Sequence, residues 1–156
     1  MEIRLNSILL KVYSNGEIFR CIEGIEDLGD FWIEIPYTAT NKLGYNRFRL
    51  NGKDYYRHRI VAYCYLGLDI TNTKLMIDHI DHNRLNDNVN NLRIVSPEQN
   101  NYNRRNVKGY YYDKHKKRYY ALIHFNGKKK RLGGHNSAEE AHKAYLNGKK
   151  KFHKFN

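Results

Sequence analysis

Three polar residues in the middle of the chain have the types and the order that hydrolytic chemistry requires. Asp78 and His79 are adjacent at the end of an apolar run, and Asn100 lies in the first turn of a predicted helix. A carboxylate oxygen and an amide oxygen suit Mg²⁺, which takes the rest of its shell from water and substrate phosphate. A histidine titrates near neutrality, so His79 can accept a proton from water as a general base. The same residue types also occur in loops whose polar side chains only bond one another, and the pattern alone leaves both interpretations open.

Two short strands and a capped helix are predicted around these residues. The apolar runs 75–79 and 92–95 read as strands separated by a polar stretch. The sequence Ser-Pro-Glu-Gln at 96–99 has the form of a capping box with proline at the first helical position. A chain that returns through a hairpin and then begins a helix can bring Asn100 back to face Asp78.

The first third of the chain reads as short strands followed by one helix. Asn51-Gly52 is a two-residue hairpin turn of the type I′ kind. The apolar spacing of residues 57–66 predicts a helix that ends at Gly67. Trp32 is expected in the core. The predicted strands are 9–13, 17–21, 31–35, 45–50 and 53–56.

The last third predicts a small sheet with one helix. Residues 119–125 and 128–132 form a second hairpin around Asn126-Gly127, and Gly133-Gly134 is expected to end the second strand. A further capping box at Ser137 begins a helix. The residues from 103 to 107 are the expected linker.

The charge of the chain lies mostly in this last third. The 156 residues carry a net charge of +12, and residues 106–156 hold 14 basic and 3 acidic side chains. Such a block attracts a polyanion, with strong and salt-sensitive binding when it neutralises phosphates. A solvated basic tail is the alternative, but the interleaved Tyr, Leu, Ile and Phe favour a folded module. A metal ion and a base beside a module that binds nucleic acid are what phosphodiester hydrolysis requires.

Composition excludes several other classes of protein. No run approaches the ~20 apolar residues of a membrane span, and the first residues do not form a signal peptide. Cys21 and Cys64 are not part of a CxxC pair, so a reduced, intracellular protein is expected. Membrane, disulfide-rich secreted and collagen-like proteins are excluded.

Four motifs in the middle third resemble a known family. Residues 56–62 read YRHRIVA, residues 78–83 DHIDHN, residues 90–92 NNL and residues 96–100 SPEQN. In this order they resemble the HNH endonuclease family, most closely its phage and intron-encoded homing nucleases. The resemblance covers residues from 56 to about 104 and implies a ββα-metal finger, in which two strands, a loop and a helix hold one divalent ion.

The resemblance implies a role for each motif residue. Asp78 and Asn100 would ligate Mg²⁺, with Mn²⁺ as a possible substitute, and His79 would activate water. Asn91, counted with His79 as a catalytic residue, would brace the loop and orient the histidine. The products would be 5′-phosphate and 3′-hydroxyl ends. The dipeptide repeats at Asp81-His82, and the family pattern selects the first pair because Ile80, Asp81 and Asn83 then fall in place. His82 departs from the pattern, since the family usually has glycine there, and this leaves open whether His82 is a surface residue or contacts DNA or metal.

The last third resembles a second family. Its motifs are KGY at 108–110, RYYALI at 118–123, NGK at 126–128, RLG at 131–133 and SAEEAHKAY at 137–145. They resemble the ethylene-response-factor (APETALA-type) DNA-binding domain, which implies a three-stranded sheet in the major groove with a helix packed on its back. Tyr119 replaces the usual tryptophan, which leaves the base contacts open.

Basic residues throughout the chain are candidate DNA contacts. For those next to His58, packing is the alternative to a phosphate contact, and the final Lys149–Lys151 run is expected to attract phosphate without specificity. The candidates are Arg57, Arg59, Arg84, Arg104, Arg118, Lys128, Lys130 and Arg131.

Together these features predict an α+β protein in three parts. They are a β-rich scaffold at 1–56, the HNH ββα-metal finger with its preceding helix at 57–105, and a basic module of three strands and a helix at 106–156. The predicted function is a Mg²⁺-dependent homing endonuclease that acts on a long, imperfectly specified double-stranded DNA site, as a monomer or homodimer. It is expected to be phage-encoded, to act in the host cytoplasm, and to use neither a membrane nor a small-molecule substrate. A catalytically silent DNA-binding regulator and an RNA-binding protein are the alternatives.

Overall fold

The computed structural model describes residues 1–24, 29–37 and 40–155. The predicted α+β class is confirmed. Within the described residues, every helix is too short or too polar to cross a membrane.

The helices are α1 (Arg57–Leu66), α2 (Pro97–Tyr102) and α3 (Ala138–Phe152). The strands are β1 (Glu2–Leu5), β2 (Ile8–Val12), β3 (Ile18–Ile22), β4 (Phe31–Glu34), β5 (Arg47–Leu50), β6 (Lys53–Tyr56), β7 (Met76–His79), β8 (Leu92–Val95), β9 (Tyr110–Asp113), β10 (Arg118–Phe125) and β11 (Lys128–His135).

Packing divides the chain into two compact units, Met1–Ile94 and Val95–Asn156. The boundary falls within β8, between Ile94 and Val95, so α2 belongs to the second unit. The division of the chain into three parts at 56 and 105 stays a prediction. Each unit is described by itself below.

The first unit is built on an antiparallel sheet in the order β1-β2-β3-β4. Its inward residues Leu10, Val12 and Ile18 are fully buried, as alternating strands that cover one core require. Helix α1 packs Ile60 and Val61 into the same core. Trp32, expected in the core, is only half-buried on β4, and the Lys11 ammonium lies 4.3 Å from the centre of its ring.

Arg57, the first residue of α1, joins this helix to the sheet. Its guanidinium is fully buried and donates to the carbonyls of Gly16 at 3.0 Å, Ile35 at 2.7 Å and Pro36 at 3.1 Å. It also lies 3.9 Å from the centre of the Tyr37 ring. Burial lowers the pKa of Arg57, although the neighbouring Tyr37 opposes that shift. Because this group is enclosed and already bonded, we do not retain Arg57 among the proposed DNA contacts.

The second unit contains the three-stranded antiparallel sheet β11-β10-β9 and α3. Ala121 and Ile123 on β10 are fully buried, and Ala141 and Tyr145 on α3 are buried as well. The expected end of the second strand at Gly133-Gly134 is wrong. Strand β11 continues to His135 because a bulge between Ala121 and Leu122 shifts the register and keeps the pairing intact.

Candidate functional site

Strand β7 carries Asp78 and His79 at its end, and both side chains are buried. Their neighbours Met76 and Ile77 continue the apolar run that the sequence shows, and Ile77 is part of the core. Strand β7 pairs with β8 in a two-stranded sheet. The predicted strand, loop and second strand are therefore present.

Arg93 on β8 bonds the carboxylate of Asp78. Its Nε and Nη2 atoms donate to the same oxygen, Oδ2, at 2.9 and 2.6 Å. The pair is partly buried, and charge-assisted bonds of this kind are stronger and better defined than neutral ones. Sequence reasoning did not select Arg93. The sequence does contain a signal for it. Arg93 is the one basic residue in the apolar run 92–95, and this run is the strand predicted to pair with the strand that carries Asp78.

Asp87 holds the ring of His79. Its Oδ1 lies 3.2 Å from His79 Nε2, and its Oδ2 accepts a bond of 2.7 Å from the Asn46 amide. Asp87 is 2% exposed. With Asp87 as the acceptor of this bond, the proton of the His79 ring lies on Nε2. Sequence reasoning also missed Asp87, which lies among the loop asparagines without a distinguishing pattern.

His58 and Tyr45 complete the surroundings of His79. The His58 ring meets the His79 ring edge-on with centres 5.2 Å apart, and Tyr45 lies 5.0 Å from His58 and 5.8 Å from His79. Burial lowers the pKa of His58 to about 4; Asp87 opposes this shift, whereas His79 and Arg59 add to it. His58 is therefore neutral at physiological pH. Among the described residues, its Nδ1 is a buried atom with no hydrogen-bond partner.

The low pKa of His58 predicts that the protein loses stability in mild acid. The unfolded chain binds a proton near pH 6.5 and the folded one only near pH 4, so the unfolded state binds more protons between these values. The contribution of neutral His58 to the free energy of unfolding is therefore complete above about pH 6.5. It falls by up to about 3 kcal/mol as the pH drops to 4. Urea unfolding between about pH 7.5 and pH 5 measures this dependence.

His58→Gln is the control for this prediction, because it removes the titrating ring and keeps a side chain of similar reach. The free energy of unfolding of the variant should depend less steeply on pH in this window. Equal slopes for the two proteins would show that His58 does not contribute to the acid sensitivity.

Asn91 and Asp81 brace the loop after β7. Asn91 Nδ2 donates to Asp81 Oδ1 at 3.0 Å and to the carbonyl of Asn86 at 2.8 Å, while its Oδ1 accepts from the Asp81 amide at 3.0 Å. Asp81 also accepts from the Asn86 side chain and the Asn83 amide, and these bonds lower the pKa of Asp81. The second Asp-His dipeptide thus contributes its carboxylate to the loop.

His82 has a φ of +64°, the left-handed conformation that glycine adopts most easily. Its amide donates to the His79 carbonyl at 3.0 Å, which closes a tight turn directly after the histidine of β7. Histidine is among the residues that tolerate this conformation. Glycine, the residue that the resemblance leads us to expect here, adopts this conformation without steric cost.

Asn100 lies in α2, where the predicted capping box is present. The Ser96 hydroxyl accepts from the Gln99 amide at 3.1 Å, and the Gln99 side chain accepts from the Ser96 amide at 3.0 Å. The Asn100 amide donates to the Ser96 carbonyl at 2.9 Å, as in a regular first turn. Asn100 and Asp78 belong to different units, and their pairing as metal ligands stays a prediction.

The remaining basic candidates of the middle third differ in their surroundings. Arg59 is half-buried and donates to the Leu75 carbonyl at 3.2 Å. Arg84 is exposed, donates to the Leu43 carbonyl at 2.6 Å and lies over the Tyr45 ring. Arg104 is exposed after α2.

Two candidates of the last third lie on the outer face of the sheet, the face opposite α3. Arg131 donates to the Tyr111 hydroxyl at 2.7 Å and lies 4.6 Å from the centre of the Tyr120 ring, and the Tyr111 and Tyr120 rings stack. Arg118 precedes Tyr120 by two residues in β10, which places it on the same face. Its guanidinium donates to the Asn136 side chain at 3.2 Å.

The other two candidates lie on the helix side of the sheet. Lys130 pairs with Ile123 and Lys128 with Phe125 in the register of β10 and β11. The Lys130 ammonium lies 4.4 Å from the centre of the Phe152 ring of α3. The four basic candidates of the last third are therefore divided between the two faces of the sheet.

The segment that carries the buried histidines also matches a known family. Residues 55–102 match the HNH endonuclease family. This HNH segment contains His58, Asp78, His79, Asp87 and Asn91, the residues that surround the end of β7 and brace its loop. The match ends at Tyr102, the last residue of α2.

Two known proteins are similar to parts of the chain. An uncharacterized HNH endonuclease of Acanthamoeba polyphaga mimivirus is 50% identical over 30 residues, which are 19% of this chain and 16% of that protein. The solved structure of the HNH homing endonuclease I-HmuI, described as binding and cleaving DNA, is 25% identical with a TM-score of 0.45. That comparison covers 64% of this chain and 52% of the I-HmuI chain.

Proposed function

We propose that the chain is a DNA endonuclease of the HNH homing type that hydrolyses phosphodiester bonds in double-stranded DNA. The observation that carries this proposal is the arrangement around His79 within the HNH segment. A buried histidine lies next to a buried carboxylate, Asp78, and its ring is held by a second carboxylate, Asp87. That is the geometry of a general base whose tautomer is fixed by an acidic partner.

The surrounding side chains have distinct roles in this proposal. Asp87 accepts the Nε2 proton, so Nδ1 is the nitrogen that takes a proton from the attacking water. Asn46 fixes Asp87 through its second oxygen. Asn91 braces the loop that begins directly after His79, and Arg93 orients the Asp78 carboxylate through Oδ2.

The proposed metal is Mg²⁺, held by Asp78 and Asn100, with Mn²⁺ as a substitute. The donors fit a hard ion because they are a carboxylate and an amide oxygen, and Asp78 is fixed in place by Arg93. When bound, such an ion stabilises charge on the scissile phosphate and on the leaving oxygen. The protein side of the reaction is then the removal of a proton from water at His79.

Plasmid cleavage tests the proposed function. Supercoiled DNA is incubated with the full chain in Mg²⁺, in Mn²⁺ and in EDTA, at low salt, with DNA of phage hosts included as substrate because the target site is long. Open-circular or linear product that requires the metal supports an endonuclease, and end-labelling checks for the 5′-phosphate. Tight, salt-sensitive duplex binding without any product in either metal would favour the silent regulator, and preference for RNA in competition would favour an RNA-binding protein.

The outer face of the second unit's sheet is proposed to contact DNA phosphates. The double variant Arg118→Ala, Arg131→Ala should weaken binding and reduce the slope of log K against log salt by about one to two, because each lost phosphate contact removes roughly 0.9 from the slope. Affinity measured by fluorescence anisotropy over a range of salt concentrations gives the slope.

Lys128→Ala, Lys130→Ala is the matched control for the outer face. It removes the same charge from the same hairpin, but from residues whose strand partners face α3. The slope of log K against log salt for this variant should stay close to that of the unaltered protein. Equal losses in both double variants would indicate that binding depends on net charge and not on the outer face.

A further inference from the structure

Three side chains near the end of β7 form a compact, buried group of metal-binding type. His58, His79 and Asp87 each offer one ligand atom, and these atoms lie within 4.8 Å of one another. All three residues are at most 7% exposed. We propose that they form a second metal site, which takes a transition-metal ion of the Zn²⁺, Co²⁺ or Ni²⁺ type and silences His79 when it is filled.

The chemistry of the ligands distinguishes this site from the one proposed at Asp78. Two imidazoles and one carboxylate are the ligands of Zn²⁺ and of its neighbours in the first transition series, whereas Mg²⁺ prefers oxygen. Ligand atoms around a tetrahedral Zn²⁺ lie roughly 3.3 Å apart, given bonds of about 2.0 Å. His79 Nε2 and Asp87 Oδ1 are already 3.2 Å apart, which is the spacing of two ligands on one ion.

His58 is prepared for this role by its surroundings. Its Nδ1 is buried and has no hydrogen-bond partner among the described residues, and a buried polar atom in that state raises the free energy of the folded protein. A metal ion bound to this ring relieves that penalty if the coordinating atom is Nδ1.

Occupation of the site changes the chemistry of His79. An ion on Nε2 takes the place of the proton that Asp87 accepts, and this single ring proton moves to Nδ1, so the ring stays neutral and no proton is released. Because Nδ1 then carries the proton, this nitrogen can no longer accept one from water. The loss of cleavage rests on the proposed function; binding of the metal does not.

Titration with Co²⁺ tests the site directly, because four-coordinate Co²⁺ has intense visible bands. The folded full-length protein should bind one Co²⁺ with these bands, and Zn²⁺ should displace it while excess Mg²⁺ does not. His58→Gln should lower the Co²⁺ affinity at least tenfold, and added Zn²⁺ should raise the melting temperature of the unaltered protein but not of this variant.

Asp78→Asn is the matched comparison, because it alters the adjacent carboxylate and leaves the three proposed ligands in place. It should retain the Co²⁺ bands. Absence of the bands in the unaltered protein, or their loss in Asp78→Asn with retention in folded His58→Gln, would overturn the proposal.

Addition of Zn²⁺ to a Mg²⁺-supported cleavage reaction should inhibit the unaltered protein more strongly than His58→Gln. A protein that binds Co²⁺ at these residues but never cleaves DNA would count against the proposed function alone.

Discussion

Replacement of His79 by alanine is expected to slow DNA cleavage by about 10²–10⁴-fold, the usual contribution of a positioned general base. DNA affinity should stay within a few-fold, since His79 is 4% exposed and offers almost no surface to the duplex. Single-turnover cleavage of a plasmid, with protein in excess, measures the chemical step apart from product release. Binding to the same DNA in EDTA measures affinity.

His82→Asn is the matched control, because the chain repeats the Asp-His dipeptide three residues later. Asparagine tolerates the positive φ of this position, so the loop should keep its shape and the variant should cleave at nearly the normal rate. A large loss in His82→Asn with normal cleavage in His79→Ala would mean that the second histidine is the base. Circular dichroism and melting of both variants check that they fold.

Replacement of Arg57 by alanine is expected to destabilise the first unit by about 3 kcal/mol, within the usual range for loss of a large buried side chain and of charged hydrogen bonds. The change leaves the carbonyls of Gly16, Ile35 and Pro36 without this donor and opens a cavity beside Tyr37. Urea unfolding monitored through Trp32 on β4 reports on this unit.

Arg49→Ala is the control for this variant. Arg49 is an exposed arginine on β5, and an exposed substitution without such bonds changes stability by roughly 0.5 kcal/mol or less. Arg57→Met adds a test of mechanism, because methionine refills much of the cavity but restores no hydrogen-bond donor. Its loss of unfolding free energy should therefore lie between those of Arg49→Ala and Arg57→Ala. A loss below about 1 kcal/mol in Arg57→Ala would mean that the three carbonyls find other donors at little cost.

Much of the local structure follows from local sequence. The Asn51-Gly52 turn has φ of +44° and +80°, as a type I′ turn requires. The capping box at Ser96 and the end of α1 at Gly67, with φ of +72°, are equally local. Each of these signals depends on residues within a few positions of one another, so it can be read without the fold.

The residues that sequence reasoning missed, or assigned to another role, depend on distant parts of the chain. Arg57 bonds carbonyls 21 to 41 residues away, so nothing near it distinguishes a buried arginine from one that contacts DNA. Asp87 and His58 acquire their roles only when the loop and α1 meet at His79. The pairing of Arg93 with Asp78 required the two strands to be placed side by side.

Helix α2 has a consequence for any attempt to shorten the chain to the HNH segment. It has six residues, well below the length at which a helix is stable alone in water. Its last residue, Tyr102, is covered by the His153 ring, with centres 3.8 Å apart, and Glu98 accepts a bond from the Gly127 amide. A polypeptide that stops where the family match stops would lose both supports. The part of the chain that is recognised by sequence is therefore smaller than the part that must fold, and a shortened protein that keeps Asn100 ordered has to extend through His153.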